Sequence, residues 1–106
     1  MTWETLMRVK FVQSGGGVGV LRGCELESSS LAPEDARELE SLVVASGLVE
    51  SGEFHSPAGR DLRSYEILLD RGQGVVAVTF DDGTMPEKAR PLVSFLRRNS
   101  KPTGRA

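Results

Sequence analysis

A glycine-rich segment separates two stretches in which apolar and polar residues alternate. This segment reads Ser14-Gly15-Gly16-Gly17-Val18-Gly19. Apolar residues that would point to the same face of a strand are Met7, Val9 and Phe11 before this segment, and Val18, Val20, Cys24 and Leu26 in the stretch that follows Gly17. Alternation with a period of two is typical of half-buried strands. Two such stretches joined by a glycine-rich turn predict a β-hairpin.

Two other stretches carry the period of an amphipathic helix. Pro33 suits the first position of a helix, and Gly47 suits a left-handed stop at its end. A second helix is predicted to open with a short turn near Pro86 and to continue from Pro91, because proline interrupts a continuous helix. The apolar faces of the two helices consist of Ala36, Leu39, Leu42 and Val43, and of Ala89, Leu92, Val93 and Leu96.

A second pair of alternating stretches completes the pattern. Tyr65, Ile67 and Leu69 share one parity, as do Val76, Val78 and Phe80 after a tight turn at Arg71-Gly72-Gln73-Gly74. The order ββαββα predicts a single α+β domain with a mostly antiparallel four-stranded sheet and two helices packed on a sheet face. We expect an N-terminal extension over residues 1–6, the domain over residues 7–99 and a disordered tail over residues 100–106.

The predicted order brings three loops that are distant in sequence to the same end of the sheet. They are Ser14–Gly17, Leu48–Asp61 and Asp81–Met85. This follows if the chain reverses direction at every connection between elements. Loops clustered on a rigid scaffold commonly form a binding surface. We therefore expect this end of the molecule to carry its binding function.

The glycine-rich segment lacks the context of a phosphate-binding loop. Such a loop lies between a strand and a helix and contains a Lys followed by Ser or Thr, whereas a strand follows here. Two interpretations remain. The segment is either a permissive hairpin turn or a loop of small residues that enters a narrow cleft. A tight hairpin needs only one or two glycines, and this segment has more.

No combination of side chains in the sequence predicts catalysis, a metal site or a cofactor. His55 is the single histidine and Cys24 the single cysteine, which excludes a structural zinc site of the usual composition. We interpret His55 as a solvated loop residue and Cys24 as a small buried hydrophobe. Asp81-Asp82-Gly83-Thr84 is interpreted as a turn, because it lacks the alternating acidic pattern of a calcium loop. We expect the protein not to be an enzyme.

Charge and cysteine content restrict the partners and the compartment. The formal net charge is −2, and the basic residues near the C-terminus have no interleaved aromatics, so neither nucleic acid nor membrane is an expected partner. A single cysteine permits no intrachain disulfide and favours a reducing, cytoplasmic location. We expect a monomer when the protein is free.

Four segments resemble the emfourin family, small bacterial inhibitors of thermolysin-like metalloproteases such as protealysin. The segments are Met7-Arg8-Val9-Lys10-Phe11-Val12-Gln13-Ser14-Gly15-Gly16, Leu31-Ala32-Pro33-Glu34-Asp35-Ala36-Arg37-Glu38-Leu39-Glu40, Ser64-Tyr65-Glu66-Ile67 and Arg90-Pro91-Leu92-Val93-Ser94-Phe95-Leu96. Their order and spacing carry the resemblance. The family pattern has Arg before its Ser-Gly-Gly and an aromatic residue after it, where this chain has Gln13 and Gly17.

The resemblance implies an emfourin-like inhibitor domain over residues 7–99 whose partner is a thermolysin-like metalloprotease. The glycine-rich hairpin loop is expected to bind the active-site cleft of the protease. The candidate protease-binding residues are Gln13, Ser14, Gly15, Gly16, Gly17, Val18, Phe54, Asp82 and Met85. Replacing Gly15 or Gly16 with Val is expected to weaken binding and leave the fold intact. The alternative function is a non-inhibitory protein-protein interaction or assembly domain that uses the same surface.

Overall fold

In the part of the chain that the structure describes, six strands form one mixed sheet, and two helices lie on one of its faces. The computed structural model describes residues 7–15, 20–57, 62–72 and 74–105. The strands are β1 (Arg8–Gly15), β2 (Val20–Glu27), β3 (Gly52–Phe54), β4 (Arg63–Asp70), β5 (Val75–Asp81) and β6 (Lys101–Arg105). They lie side by side in the order β3-β5-β4-β1-β2-β6. The helices are α1 (Pro33–Ser46) and α2 (Arg90–Arg98).

Both predicted strand pairs are present and antiparallel. β1 pairs with β2 on one side and with β4 on the other, so that Phe11 lies opposite both Cys24 and Ile67. β4 in turn pairs with β5, and Ile67 lies opposite Val78. Residues that face each other in this way point to the same side of the sheet. The apolar residues that alternate along β1, β2, β4 and β5 therefore lie on one continuous face of the sheet, as the sequence predicted.

Both helices begin and end where the sequence signals predict. Pro33 is the first residue of α1, and Gly47 follows the helix in a left-handed conformation with φ 73°. A 3-10 turn over Glu87–Ala89 precedes α2, whose second residue is Pro91. Proline is accepted in the first turn because the amide it lacks would have no partner there. No helix among the described residues has the length and apolar content needed to cross a membrane.

The core lies between the two helices and one face of the sheet. Its buried apolar residues are Met7, Val9, Phe11, Leu39, Val43, Tyr65, Ile67, Leu69, Val78, Phe80, Ala89, Leu92, Val93, Phe95 and Leu96. Residues from β1, β4, β5, α1 and α2 thus belong to one cluster. The prediction of a single α+β domain, with both helices packed on a sheet face, is confirmed.

The predicted number of four strands and the order ββαββα are wrong, because the described residues form a mixed sheet of six strands. The sheet is mostly antiparallel, as expected: four of its five strand pairings are antiparallel, and that of β3 with β5 is parallel. The first missed strand is β3, which lies within the expected loop Leu48–Asp61 and pairs in parallel with β5. It is only three residues long, too short for an alternating pattern to appear in the sequence. Its place at the edge of the sheet depends on long-range pairing, which local propensity does not encode.

The second missed strand is β6, which replaces most of the expected disordered tail. Lys101–Arg105 pairs antiparallel with β2. Pro102 and Gly104 are residues that strands normally avoid, so the sequence of this segment gives no strand signal. The segment instead completes the hydrogen-bonding edge that β2 would otherwise expose. The expected extension over residues 1–6 and the centre of the glycine-rich segment, Gly16–Gly19, lie outside the described residues.

Candidate functional site

Four strand ends meet at one end of the sheet and form the candidate site. At the end of β1, Gly15 lies opposite Arg63, and in the next pair of strands Ser64 lies opposite Asp81. Phe54 at the end of β3 lies beside Phe80. We call this surface the rim and define it as residues 13–15, 54–57, 62–64 and 81–85. Ser14 and Gly15, residues 54–57 and residues 81–85 share this end, as predicted for their loops. The first part of the loop Leu48–Asp61 does not, because Ser51 lies beside β5, where its hydroxyl accepts a hydrogen bond of 2.9 Å from the amide of Ala77.

A buried carboxylate, that of Asp81, holds two loops of the rim together. Its side chain is only 2% exposed. Its Oδ2 accepts a hydrogen bond of 2.6 Å from the amide of Ser56, and its Oδ1 accepts bonds of 2.8 Å and 3.0 Å from the amides of Gly83 and Thr84. These bonds, led by that from Ser56, lower the pKa of the Asp81 carboxyl, although burial opposes the shift. The charged form of Asp81 is therefore part of the folded rim.

The Thr84 hydroxyl adds a second connection between the same loops. It donates a hydrogen bond of 2.8 Å to the carbonyl oxygen of Phe54 and accepts one of 3.0 Å from the amide of Asp81. The segment after β3 and the turn after β5 thus contact each other through both backbone and side chains. Such a connection fixes the backbone of Phe54 without using its ring.

Asp82 joins the turn after β5 to the start of β4. Its Oδ2 accepts a hydrogen bond of 3.1 Å from the amide of Arg63, and its Oδ1 accepts one of 2.6 Å from the hydroxyl of Tyr65. Burial, and then the hydrogen bond to Asp82, raise the pKa of the Tyr65 phenol. The ring of Tyr65 lies between those of Phe11 and Phe80 in the core, with centroid distances of 6.2 Å and 6.0 Å. Both oxygens of the predicted binding residue Asp82 are therefore engaged inside the chain.

Gly15 occupies a position that only glycine fits. Its φ is 89°, and a Cβ atom there would lie 2.8 Å from the carbonyl oxygen of Leu62. A side chain would strain the backbone and push β1 away from the segment that leads into β4. The expectation that Val at Gly15 leaves the fold intact is therefore wrong. Gly16, where the same was expected, lies outside the described residues.

The other predicted binding residues differ in how far their side chains are exposed to a partner. Phe54 is 52% exposed, and its ring rests against Gly52, where a Cβ would lie 2.9 Å from the ring. Met85 is half-buried and packs against the core. Gln13, opposite Tyr65 on β4 and Arg22 on β2, is half-buried, as is Ser14. Gly17 and Val18, like Gly16, lie outside the described residues.

Sequence reasoning missed Asp81, Thr84 and Tyr65, which build the rim. A signal for the first two exists: an Asp followed by Gly at the second position and Thr at the third is a turn in which the carboxylate binds the following amides. That pattern stands at Asp81-Asp82-Gly83-Thr84. The sequence does not signal the bond from Tyr65 to Asp82, because it joins residues on different strands.

His55 and Cys24, the two residues weighed for metal chemistry, lie apart in the fold. His55 is exposed, with Nε2 3.5 Å from a carboxylate oxygen of Glu53. Cys24 faces α2, where its Sγ lies 3.5 Å from the carbonyl oxygen of Leu96, and burial raises the pKa of its thiol. Within the described ranges, no three His, Cys, Asp or Glu residues are grouped so that they could hold a metal ion.

Comparison with known proteins identifies one family. The family model described as Emfourin matches residues 11–97, from the middle of β1 to the last turn of α2. No curated protein matches the chain, and no solved structure matches it. The matched region contains every described residue of the rim.

Proposed function

We propose that this chain, which belongs to the emfourin family, is a protein inhibitor of thermolysin-like zinc metalloproteases. The observation that carries the proposal is the family match, because it spans both helices and the rim. In the proposed complex the rim faces the active-site cleft of the protease. The glycine-rich hairpin loop enters the cleft, and Phe54 contacts the surface beside it.

The hydrogen bonds of the rim support this proposal because they limit the entropy lost on binding. A loop that is ordered before it binds pays less than one that must be ordered by its partner. Asp81 and Asp82 accept hydrogen bonds from the segment after β3 and from the start of β4. These contacts hold Phe54 and Arg63 in place on either side of β5. The rim is then a preformed surface rather than a set of independent loops.

The position of Gly15 supports inhibition without turnover. A protease cleaves a backbone only when it holds the peptide bond in the geometry of attack. Gly15 is the last residue of β1, which is paired on both sides, and its Cα lies against the backbone of Leu62. The start of the hairpin loop therefore cannot shift far without breaking the pairing of β1 with β4. In the proposed complex, this fixed position of Gly15 favours binding in the cleft without cleavage.

The remaining properties of the proposed inhibitor follow from its surface and its cysteine. We place it in the cytoplasm of a bacterium, where Cys24 stays reduced, and we expect a monomer when no protease is bound. The neutral, half-buried thiol of Cys24 points towards α2 rather than to the rim. It is therefore not the group that meets the zinc of the protease.

Inhibition of a protease panel tests the proposal. Purified protein is added in increasing amounts to several thermolysin-like proteases, including any from its own host, and peptide cleavage is followed. We expect at least one protease to lose activity with a stoichiometric endpoint, and a small active-site ligand of that protease to compete with the protein. A serine protease serves as the control and should keep its activity. Full activity of every thermolysin-like protease with excess protein would leave the non-inhibitory interaction domain as the function.

A further inference from the structure

We propose that the C-terminal strand β6 is a positioning element for the hairpin that contains the glycine-rich segment. This inference rests on the proposed function. β6 lies beyond residue 97, where the family match ends. It pairs with β2, the limb of the hairpin that follows the glycine-rich segment. By holding that limb, β6 orders the base of the loop before any protease is bound.

The pairing between β6 and β2 reaches the first residue of the limb. Arg105 lies opposite Val20, and Gly104 lies opposite Leu21. Val20 is the first described residue after the glycine-rich segment. With β6 in place, β2 has neighbours on both sides, as β1 does between β2 and β4. Both limbs of the hairpin are therefore interior strands.

Without β6, the limb would be an edge strand with weak intrinsic preference for its conformation. Gly23 lies within it, and glycine in a strand costs conformational entropy. The pairing also shifts register between Leu21 and Arg22, close to Pro102, which has no amide to donate. The ladder is thus weakest in its middle and depends on both of its ends.

The turn before β6 is fixed to the core through α2. The side-chain amide of Asn99 donates a hydrogen bond of 2.8 Å to the carbonyl oxygen of Phe95, and the hydroxyl of Ser100 donates one of 2.7 Å to that of Leu96. Arg22 reaches across from β2 to the carbonyl oxygen of Ser100 at 3.4 Å. Because Phe95 and Leu96 are buried, these contacts direct the chain from the core to the open edge of β2.

The test is a chain that ends at Ser100, compared with the full chain against a protease that the full chain inhibits. We expect faster hydrogen exchange at the amides of Val20, Leu21 and Arg22, and unchanged exchange in β4. We also expect an inhibition constant raised by about tenfold, mainly through slower association, because the limb must then be ordered on binding. If the shortened chain fails to fold, Gly104→Pro in the full chain replaces it, since proline at this position disturbs the pairing with Leu21.

Two control variants separate positioning from other roles of the tail. Lys101→Gln combined with Arg105→Gln removes two charges and leaves the backbone pairing, so its inhibition constant should stay within roughly twofold. Ser28→Ala removes the acceptor of the Met7 amide at the opposite end of the sheet. It should lower the melting temperature without changing inhibition.

The possible results are distinct. Unchanged inhibition by the shortened chain would overturn the inference, as would an equal loss of inhibition in the charge variant or in Ser28→Ala. If the full chain inhibits no protease, the proposed function fails on its own. Hydrogen exchange then decides the remaining claim: faster exchange confined to β2 supports a positioning role for β6, and unchanged exchange overturns it.

Discussion

At the scale of single residues, two adjacent aspartates build the proposed binding surface from the inside. Asp81 is buried and accepts its hydrogen bonds from amides of the rim, and Asp82 accepts from Arg63 and Tyr65. A buried carboxylate is tolerated when several donors satisfy it. Among the described residues, no buried side-chain nitrogen or oxygen lacks a hydrogen-bond partner. In the proposed complex, the acidic pair would therefore act on binding only indirectly, by fixing the positions of Phe54 and of the start of β4.

Replacement of Asp81 with Asn should destabilise the protein and change its response to acid. Asn keeps one acceptor oxygen but turns an NH₂ group towards the amides, so we expect the melting temperature at pH 7 to fall by about 5–10 °C. The pKa of Asp81 is lowered in the folded state. Its stabilising effect is therefore complete above the unfolded pKa of about 4 and is lost as the pH falls through the folded pKa.

Thermal unfolding measured between pH 7 and pH 2 checks this prediction. Wild-type protein should lose stability below about pH 4, and Asp81→Asn should lose less over the same range. Asp70→Asn is the matched control, because Asp70 lies at the opposite end of β4 and accepts a bond from the amide of Gly72. Identical acid sensitivity in the wild type and Asp81→Asn would contradict the role given to this carboxylate.

At the scale of elements, the strands that were predicted differ in kind from those that were missed. β1, β4 and β5 each bury one parity of a long alternating stretch, and the pattern is visible because one face is covered by helices. β3 and β6 take their places from neighbours instead of from their own sequences. The helices were predicted because their caps and prolines act locally, at Pro33, Gly47 and Pro91. Local sequence signals were enough to predict the elements of the core. The edge strands β3 and β6 are instead determined by their pairing with β5 and β2.

Gly23 in β2 is a residue whose role depends on a neighbouring strand and not on a local sequence signal. Its presence in β2 suggests a bulge, yet the register of β2 with β1 is regular through Gly23 and Val12. The structure gives another reason for the glycine. A Cβ at this position would overlap the carbonyl oxygen of Phe11. Glycine is therefore needed where the two strands come close together.

Replacement of Gly23 with Ala should lower the free energy of unfolding by about 2 kcal/mol or more, because the added methyl group forces β2 away from β1. Urea unfolding measures the change. Gly52→Ala is the comparison, since its nearest obstacle is the movable ring of Phe54 rather than backbone, and its cost should be smaller. Equal stability of Gly23→Ala and the wild type would show that the close approach of the strands does not require glycine.

In the molecule as a whole, the two ends of the sheet carry different kinds of side-chain contact. One end is the rim, with the buried carboxylate of Asp81 and the exposed ring of Phe54. The opposite end has surface contacts, among them an ion pair of 3.0 Å between Arg8 and Glu27, both well exposed. Exposed ion pairs contribute little to stability. The reversals of chain direction predicted from the sequence brought parts of the three loops to one end, but they could not show β3 within the second loop or which residues point outwards.

In the proposed complex the rim, and not another surface, meets the protease. One pair of substitutions tests it most directly: Phe54→Ala on the rim and Val75→Ala at the far end of β5. The two side chains are similarly exposed, at 52% and 56%, so neither truncation should disturb the core. Inhibition constants are measured for both variants against a thermolysin-like protease that the wild type inhibits. We expect Phe54→Ala to weaken inhibition by about tenfold, or roughly 1.4 kcal/mol, and Val75→Ala to leave it unchanged. Loss of inhibition in Val75→Ala together with full inhibition by Phe54→Ala would show that the protease binds the opposite end of the sheet and not the rim.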